Sequence, residues 1–169
     1  KLKDKFQGEL NGEIKLDFGE YKLDQPIEIN VKDFLIIEGL PNASGTNPKL
    51  NGSQSGNIFN ITGSGEVIIK NLTFVNATDS AVKSTVDLLI DGCTFENNTT
   101  SADGGAIYCL ADIKSLSGTF NNNTALVRGG AIFCGNIGSI NDDARFIENN
   151  CNNNGGAIFC LNIGSINDD

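Results

Sequence analysis

The 169-residue sequence contains no histidine, no tryptophan and no methionine. Without histidine, and without a Cys-x-x-Cys pair, it lacks the ligand sets that zinc sites in proteins use. Arginine is also scarce, since only Arg128 and Arg145 occur, and the net charge is −9. An acidic chain repels the phosphate backbone of nucleic acids. We therefore expect no nucleic-acid partner, and the composition indicates no cofactor.

Long apolar runs are missing as well. No stretch reaches the roughly 18 apolar residues that a membrane-spanning helix requires, so we expect no membrane span in this chain. Aromatic residues make up only 7% of the chain, whereas it contains 20 glycines and many asparagines. Glycine and asparagine favour turns and interrupt helices. The composition therefore favours many short strands joined by turns over a helical bundle.

Three nearly identical hexapeptides occupy residues 104–109, 129–134 and 155–160. The first reads Gly-Gly-Ala-Ile-Tyr-Cys, and the other two read Gly-Gly-Ala-Ile-Phe-Cys. Their starts lie 25 and 26 residues apart. A fixed period between about 20 and 50 residues marks a repeat architecture.

A second motif, Phe-x-x-Asn, begins at Phe95, Phe120 and Phe146 and therefore keeps the same spacing. In addition, the octapeptide at residues 136–143 recurs letter for letter at residues 162–169. The two motifs keep a fixed phase relative to each other. This constancy indicates one repeating structural unit.

The period selects the architecture. A leucine-rich repeat would need a Leu-x-x-Leu-x-Leu-x-x-Asn pattern, which is absent. Three short strands with their turns fill one period, so we predict an all-β fold, a right-handed parallel β-helix (solenoid) of about six or seven coils with roughly 25 residues per coil. Residues 1–56 would form irregular or capping coils, and residues 57–169 the regular repeats, which would end mid-coil.

Equivalent residues of stacked coils should form ladders along the solenoid. Strand alternation places the repeated isoleucines and cysteines on the inward face, the phenylalanines in an aromatic stack with Phe74 at its lower end, and the asparagines in an amide ladder. These structural ladders comprise Ile107, Ile132 and Ile158; Cys109, Cys134 and Cys160; Phe95, Phe120 and Phe146; and Asn98, Asn123 and Asn149.

Five cysteines leave at least one unpaired within the chain. A thiol on the inward face would be inert and apolar. Disulfides between neighbouring coils, such as Cys109 with Cys134, are an open alternative that needs suitable torsion angles. Cys93 and Cys151 stand at other phases of the repeat, so we expect them at turn or surface positions.

Gly-Gly-Ala-Ile alternating with Phe-x-x-Asn is the paired signature of polymorphic membrane protein repeats. Over residues 93–160 the chain therefore resembles this repeat family of chlamydial surface autotransporters. Taken whole, with its earlier strands at residues 58–61 and 67–74, it is also similar to the large adhesin-like proteins of methanogenic archaea. The motifs are specific for the repeat and much less specific for a function.

The resemblance implies a non-catalytic, extracellular segment of a cell-surface adhesin-like protein. Its partner would be a host or neighbouring cell surface, bound through a glycan or protein ligand. One alternative is a structural subunit that stacks head-to-tail through open β-helix ends into an extracellular filament. Another is a polysaccharide-active enzyme; since histidine is absent and the two arginines stand at different phases of the repeat, we expect no enzyme.

Acidic residues close the recurring octapeptide. Equivalent carboxylates stacked roughly 5 Å apart repel each other unless a cation neutralises them. A solvated turn explains the same residues, so we assign no metal and keep them as a candidate cation site only. This site would comprise Asp142, Asp143, Asp168 and Asp169.

Asparagines in Asn-x-Ser/Thr triplets are acceptors for glycosylation when a chain is exported to a glycosylating surface. Triplets that fall in turns are the better candidates because they are accessible. The candidate glycosylation sites are Asn42, Asn51, Asn97 and Asn122.

Overall fold

The computed structural model describes residues 1–167, which contain 19 strands and one short 3₁₀-helix at Leu2–Phe6. The strands are β1 (Glu9–Leu16), β2 (Glu20–Lys22), β3 (Ile27–Gly39), β4 (Lys49–Asn51), β5 (Phe59–Gly63), β6 (Glu66–Lys70), β7 (Thr73–Val75), β8 (Val82–Ser84), β9 (Asp87–Glu96), β10 (Thr99–Thr100), β11 (Ile107–Cys109), β12 (Ile113–Asn121), β13 (Thr124–Ala125), β14 (Ile132–Phe133), β15 (Asn136–Ile140), β16 (Arg145–Ile147), β17 (Asn150–Cys151), β18 (Ile158–Phe159) and β19 (Asn162–Ile166). In residues 1–167, no helix has both the length and the apolar character needed to span a membrane.

The strands line three faces, and every pairing between them is parallel. Face 1 consists of the start of β3 with β5, β8, β11, β14 and β18. Face 2 consists of β1, the end of β3, β6, the starts of β9 and β12, β15 and β19. Face 3 consists of β2, β4, β7, the ends of β9 and β12, and β16. Strands β10, β13 and β17 add a short ladder between faces 3 and 1.

The three faces wind into a parallel β-solenoid of about six turns, with about 25 residues per turn and 54% of residues in strands. The all-β parallel β-helix predicted from the sequence period is therefore confirmed. One coil cannot bury its apolar side chains alone, so each coil depends on the coils stacked above and below it.

The strand register aligns the sequence motifs. Ile107 pairs with Val82 below it and Ile132 above it, and Ile132 pairs in turn with Ile158. Val82 thus occupies the isoleucine position in the coil that precedes the first Gly-Gly-Ala-Ile motif. On face 3, the phenylalanines of the Phe-x-x-Asn motifs pair in the same way, Phe95 with Phe120 and Phe120 with Phe146.

Stacked aromatic rings fill the interior beside face 3. The ring centroids of Phe74 and Phe95 lie 4.7 Å apart, those of Phe95 and Phe120 4.9 Å, and those of Phe120 and Phe146 5.0 Å, with planes within 10° of parallel. Phe74, Phe95 and Phe120 are fully buried, whereas Phe146 is partly exposed. In-register stacking of one residue type therefore produces a continuous apolar column.

The glycine pair of each hexapeptide solves a steric problem at the entry to face 1. Gly104 has a φ of +70°, in the left-handed region that side chains rarely adopt. A Cβ on Gly105 would lie only 2.2 Å from the carbonyl oxygen of Gly130 in the next coil. The first glycine therefore allows the turn, and the second allows neighbouring coils to approach closely.

The stacking of coils extends into the N-terminal part of the chain. Strand β1 pairs with β3, and β2 pairs with β4. The 3₁₀-helix precedes β1, and its Phe6 is buried with its ring centroid 5.7 Å from that of Phe59. Coils are thus present on both sides of residue 56, and a division of the chain at that residue stays a prediction.

We expect the substitution Phe95→Ala to lower the free energy of unfolding by about 4 kcal/mol, the usual cost of emptying a buried phenylalanine site. Phe18→Ala provides the control, because Phe18 is 52% exposed and surface truncations change stability by less than about 0.5 kcal/mol. Urea denaturation followed by circular dichroism measures both values. Equal losses in the two variants would contradict the role of the phenylalanine stack.

Candidate binding surface on the outer face of the solenoid

The asparagines of the Phe-x-x-Asn motifs form a hydrogen-bonded ladder inside the solenoid. The side-chain oxygen of Asn123 accepts bonds from the backbone N–H and the Nδ2 of Asn98, at 3.1 and 3.0 Å. Its own Nδ2 donates to Phe95 O at 3.0 Å and to Asn149 Oδ1 at 2.9 Å. Asn98 and Asn123 are fully buried. Their amides therefore satisfy the backbone at a turn and are unavailable to a ligand.

The isoleucine and cysteine ladders also lie inside. Ile107 and Ile132 are fully buried, and Ile158 is partly buried in the last described coil. Cys109 and Cys134 are buried, Cys160 is partly exposed, and all five cysteines carry free thiols. These side chains act as small apolar groups of the core.

The expectation that Cys93 lies at a turn or on the surface is wrong. Its side chain is only 1% exposed, and its Sγ donates to the carbonyl oxygen of Ile69 at 3.5 Å. Cys93 stands two residues before the inward Phe95 on β9, so strand alternation turns both side chains into the core. Burial raises the pKa of the Cys93 thiol to about 12, and that of Cys109 likewise to about 12. Cys151 is partly exposed, and its Sγ donates to Asn154 O at 3.2 Å.

The acidic turn after β15 is open to solvent. Asp142 and Asp143 are both exposed, and the backbone oxygen of Asp142 accepts a hydrogen bond from Arg145 Nη1 at 2.7 Å. Asp168 and Asp169 lie outside the described residues. Within residues 1–167, no three cysteine, aspartate or glutamate side chains converge as metal ligands. The cation site stays a prediction.

The four candidate glycosylation sites occupy turns or strand ends. Asn97 and Asn122 are exposed in left-handed turns, and Asn122 Nδ2 donates to Asn97 Oδ1 at 2.7 Å. The Asn42 side-chain oxygen accepts bonds from its own loop, and Asn51 Nδ2 donates to Glu20 Oε1 at 3.1 Å. Their glycosylation stays a prediction.

A column of aromatic side chains runs along the outside of face 1. Tyr108, Phe133 and Phe159 each stand between an inward isoleucine and an inward cysteine, so strand alternation points them outward. The rings of Tyr108 and Phe133 stack at 5.3 Å with planes 12° apart, and those of Phe133 and Phe159 at 5.5 Å with planes 1° apart. All three side chains are partly exposed.

Arg128 covers one side of this column. Its guanidinium carbon lies 4.7 Å from the ring centroid of Phe133 and 4.8 Å from that of Phe159. The same guanidinium forms two hydrogen bonds with Asp103, Nε to Oδ1 at 3.1 Å and Nη2 to Oδ2 at 2.9 Å. The hydrogen bonds with Asp103 raise the pKa of Arg128. Arginine thus stays charged and fixed in orientation beside the rings. We call Tyr108, Phe133, Phe159 and Arg128 the aromatic strip.

Exposed leucines flank the aromatic strip. Leu110 and Leu161 stand two residues after Tyr108 and Phe159, and they are 61% and 75% exposed. Leu126 stands two residues before Arg128 and is 50% exposed. Partly buried rings beside exposed aliphatic side chains and an arginine are typical of surfaces that bind other molecules.

Sequence reasoning overlooked the aromatic strip, although the hexapeptides contain its signal. The fifth residue of each hexapeptide is aromatic and lies between two inward positions. Alternation alone therefore predicts an outward aromatic column. No sequence pattern predicts the position of Arg128. This residue lies in a turn and contacts rings on strands of two neighbouring coils, and that contact depends on the conformation of the turn.

The fold and its repeats define a repetitive parallel β-solenoid segment. Three segments, residues 92–110, 117–135 and 143–161, match the Chlamydia polymorphic membrane protein (Chlamydia_PMP) repeat. Each match contains one ring of the aromatic strip and one asparagine of the interior ladder. The resemblance to this repeat family is therefore confirmed.

Comparisons with curated proteins and with solved structures gave no match. The resemblance to archaeal adhesin-like proteins stays a prediction.

We expect Asn123→Ala to destabilise the protein by about 3 kcal/mol, because it leaves the buried amide of Asn98 and the carbonyl of Phe95 without their partner. Asn122→Gly is the matched control. Asn122 is exposed with a φ of +54°, which glycine adopts without strain, so the loss should stay below about 0.5 kcal/mol. Chemical denaturation measures both, and a loss of similar size in the control would refute the ladder's importance.

Cysteine alkylation should follow burial. A pKa raised from 9.0 to about 12 lowers the thiolate fraction of Cys93 and Cys109 by roughly a thousandfold at neutral pH. Iodoacetamide should therefore label Cys151 first in the folded protein, and Cys93 and Cys109 only after denaturation, as read by mass spectrometry of the peptides. Labelling of Cys93 as fast as Cys151 in the folded state would show that β9 is not packed as described.

Proposed function

We propose that this chain is a non-catalytic, extracellular segment of a cell-surface adhesin-like protein that mediates attachment to cells or surfaces. The observation that supports this proposal most strongly is the aromatic strip, with its flanking leucines, on the outside of face 1. The match to polymorphic membrane protein repeats adds support for a surface location.

The positions that the repeated residues occupy in the fold support the same role. The residues that the repeats share, which are their glycines, isoleucine, cysteine, phenylalanine and asparagine, form turns or lie in the interior. Only outward residues are then free for contacts. A solenoid offers such residues as an elongated, rigid face, suited to a host or neighbouring cell surface that carries a glycan or protein ligand.

The filament alternative receives less support. Head-to-tail stacking requires a neighbour that pairs with the strands of an end coil. The 3₁₀-helix at Leu2–Phe6 stands beside the start of β3 with Phe6 buried. A neighbour stacked on this side would have to displace the helix from face 1. Attachment through the outer face requires no such rearrangement.

Attachment can be tested with fluorescent beads that carry the purified chain and are added to cultured epithelial cells. We expect the double substitution Phe133→Ser and Phe159→Ser to reduce the number of attached beads by more than about tenfold, as loss of hot-spot rings does. Phe18→Ser is the matched control, because it removes an exposed ring at the other end of the chain. Circular dichroism checks that each variant is folded.

Two results would contradict the proposal. Beads with the unaltered chain that attach no better than uncoated beads would remove the basis for an adhesin. If the Phe133→Ser and Phe159→Ser double variant attaches as well as the unaltered chain, the contact surface lies elsewhere.

A further inference from the structure

We infer that the aromatic strip recognises a protein surface that presents apolar side chains among basic ones, and not a sugar. This inference rests on the proposed attachment function and names the chemical class of its ligand. It follows from the orientation of the rings, from the leucines beside them and from the charges at the rim.

The ring orientation disfavours a glycan. A sugar binds an aromatic side chain by lying against the face of the ring. Here the faces of Tyr108, Phe133 and Phe159 already stack on one another. The guanidinium of Arg128 occupies a further position over the rings of Phe133 and Phe159. What the column offers to solvent is therefore mainly ring edges, which pack well against aliphatic side chains and against the faces of other aromatic rings.

The leucines extend the same apolar surface. Leu110 and Leu161 stand between the face 1 and face 2 strands, two residues after Tyr108 and Phe159, and both are more than half exposed. Aliphatic side chains offer a sugar no hydrogen bond, whereas burying them against apolar side chains of a protein is favourable. Rings, leucines and a fixed arginine together match the composition of protein-binding hot spots.

The charges around the strip favour a basic partner. The two bases that adjoin the strip each have an acid already: Lys83, which pairs opposite Tyr108, has its Nζ 2.7 Å from Asp79, and Arg128 binds Asp103. Both cations are therefore neutralised beside the rings, on a chain whose net charge is −9. Electrostatic complementarity therefore steers a surface with lysine or arginine residues toward this side.

The experiment uses the bead assay with epithelial cells treated in two ways. Trypsin removes exposed surface proteins, whereas periodate oxidises the vicinal diols of glycans and leaves the polypeptides in place. We expect trypsin to abolish the strip-dependent attachment and periodate to leave it unchanged. We also expect Leu110→Ser combined with Leu161→Ser to weaken attachment by about tenfold, while Phe18→Ser leaves it unchanged.

The basic character of the partner is tested by salt. Raising the concentration of NaCl from about 0.1 M to about 1 M shortens the screening length from roughly 10 Å to roughly 3 Å. Attachment should weaken several-fold if charges at the rim steer the partner. Attachment that is independent of salt would overturn the basic partner.

The remaining outcomes separate this inference from the proposed function. Attachment that disappears after periodate, whether or not it survives trypsin, would show a glycan ligand, so the inference would fail and the adhesin would stand. Unchanged attachment of the leucine variant would likewise overturn the inference. If the unaltered chain does not attach to untreated cells, the proposed function itself fails, and the inference fails with it.

Discussion

In-register parallel stacking is the constraint on which the whole structure depends, because each residue meets its own counterpart one coil away. A residue type therefore persists in a column only if it interacts favourably with itself. Phenylalanine does so by stacking, from Phe74 to Phe146. Asparagine does so because one amide carries both a donor and an acceptor, as the bonds between Asn98 and Asn123 show. Ionised carboxylates have no hydrogen-bond donor and repel each other when they stack. Asp103 and Asp112 are accordingly paired with a base or an amide of the next coil, Arg128 and Asn136.

The same constraint shapes the exterior. Outward residues of face 1 also form a column, and in the three later coils this column is aromatic. The neighbouring turn contributes Asp103 from one coil and Arg128 from the next, so a bidentate ion pair links two coils beside the rings. Because each repeat adds one ring and one turn, the length of the aromatic strip depends on the number of stacked repeats. The interior residues of the repeat can thus stay the same in every coil while its outward residues differ.

Much of the fold could be predicted from the sequence. The period of 25 and 26 residues indicated a solenoid, and period-two alternation placed the repeated isoleucines, cysteines and phenylalanines on the inner side. The candidate site was harder to predict. Strand alternation in the hexapeptides predicts the outward aromatic column, although we overlooked it. The position of Arg128 over Phe133 and Phe159, in contrast, depends on how the turn before one strand lies relative to that strand and to the strand of the next coil. Turn conformation of this kind leaves no periodic signal.

By itself, the sequence determined the repeat, the length of a coil and the residues that stack, because period and alternation are local properties of strands. Only the tertiary structure decided how neighbouring coils adjust to each other. Strand β12 shifts register against β9 between Ile113 and Ser115, and again between Leu116 and Gly118. It also decided that Cys93 is buried and that Asp103, Arg128 and the rings meet on one side. These features arise from contacts across coils, which depend on bulges and turns that the repeat does not encode.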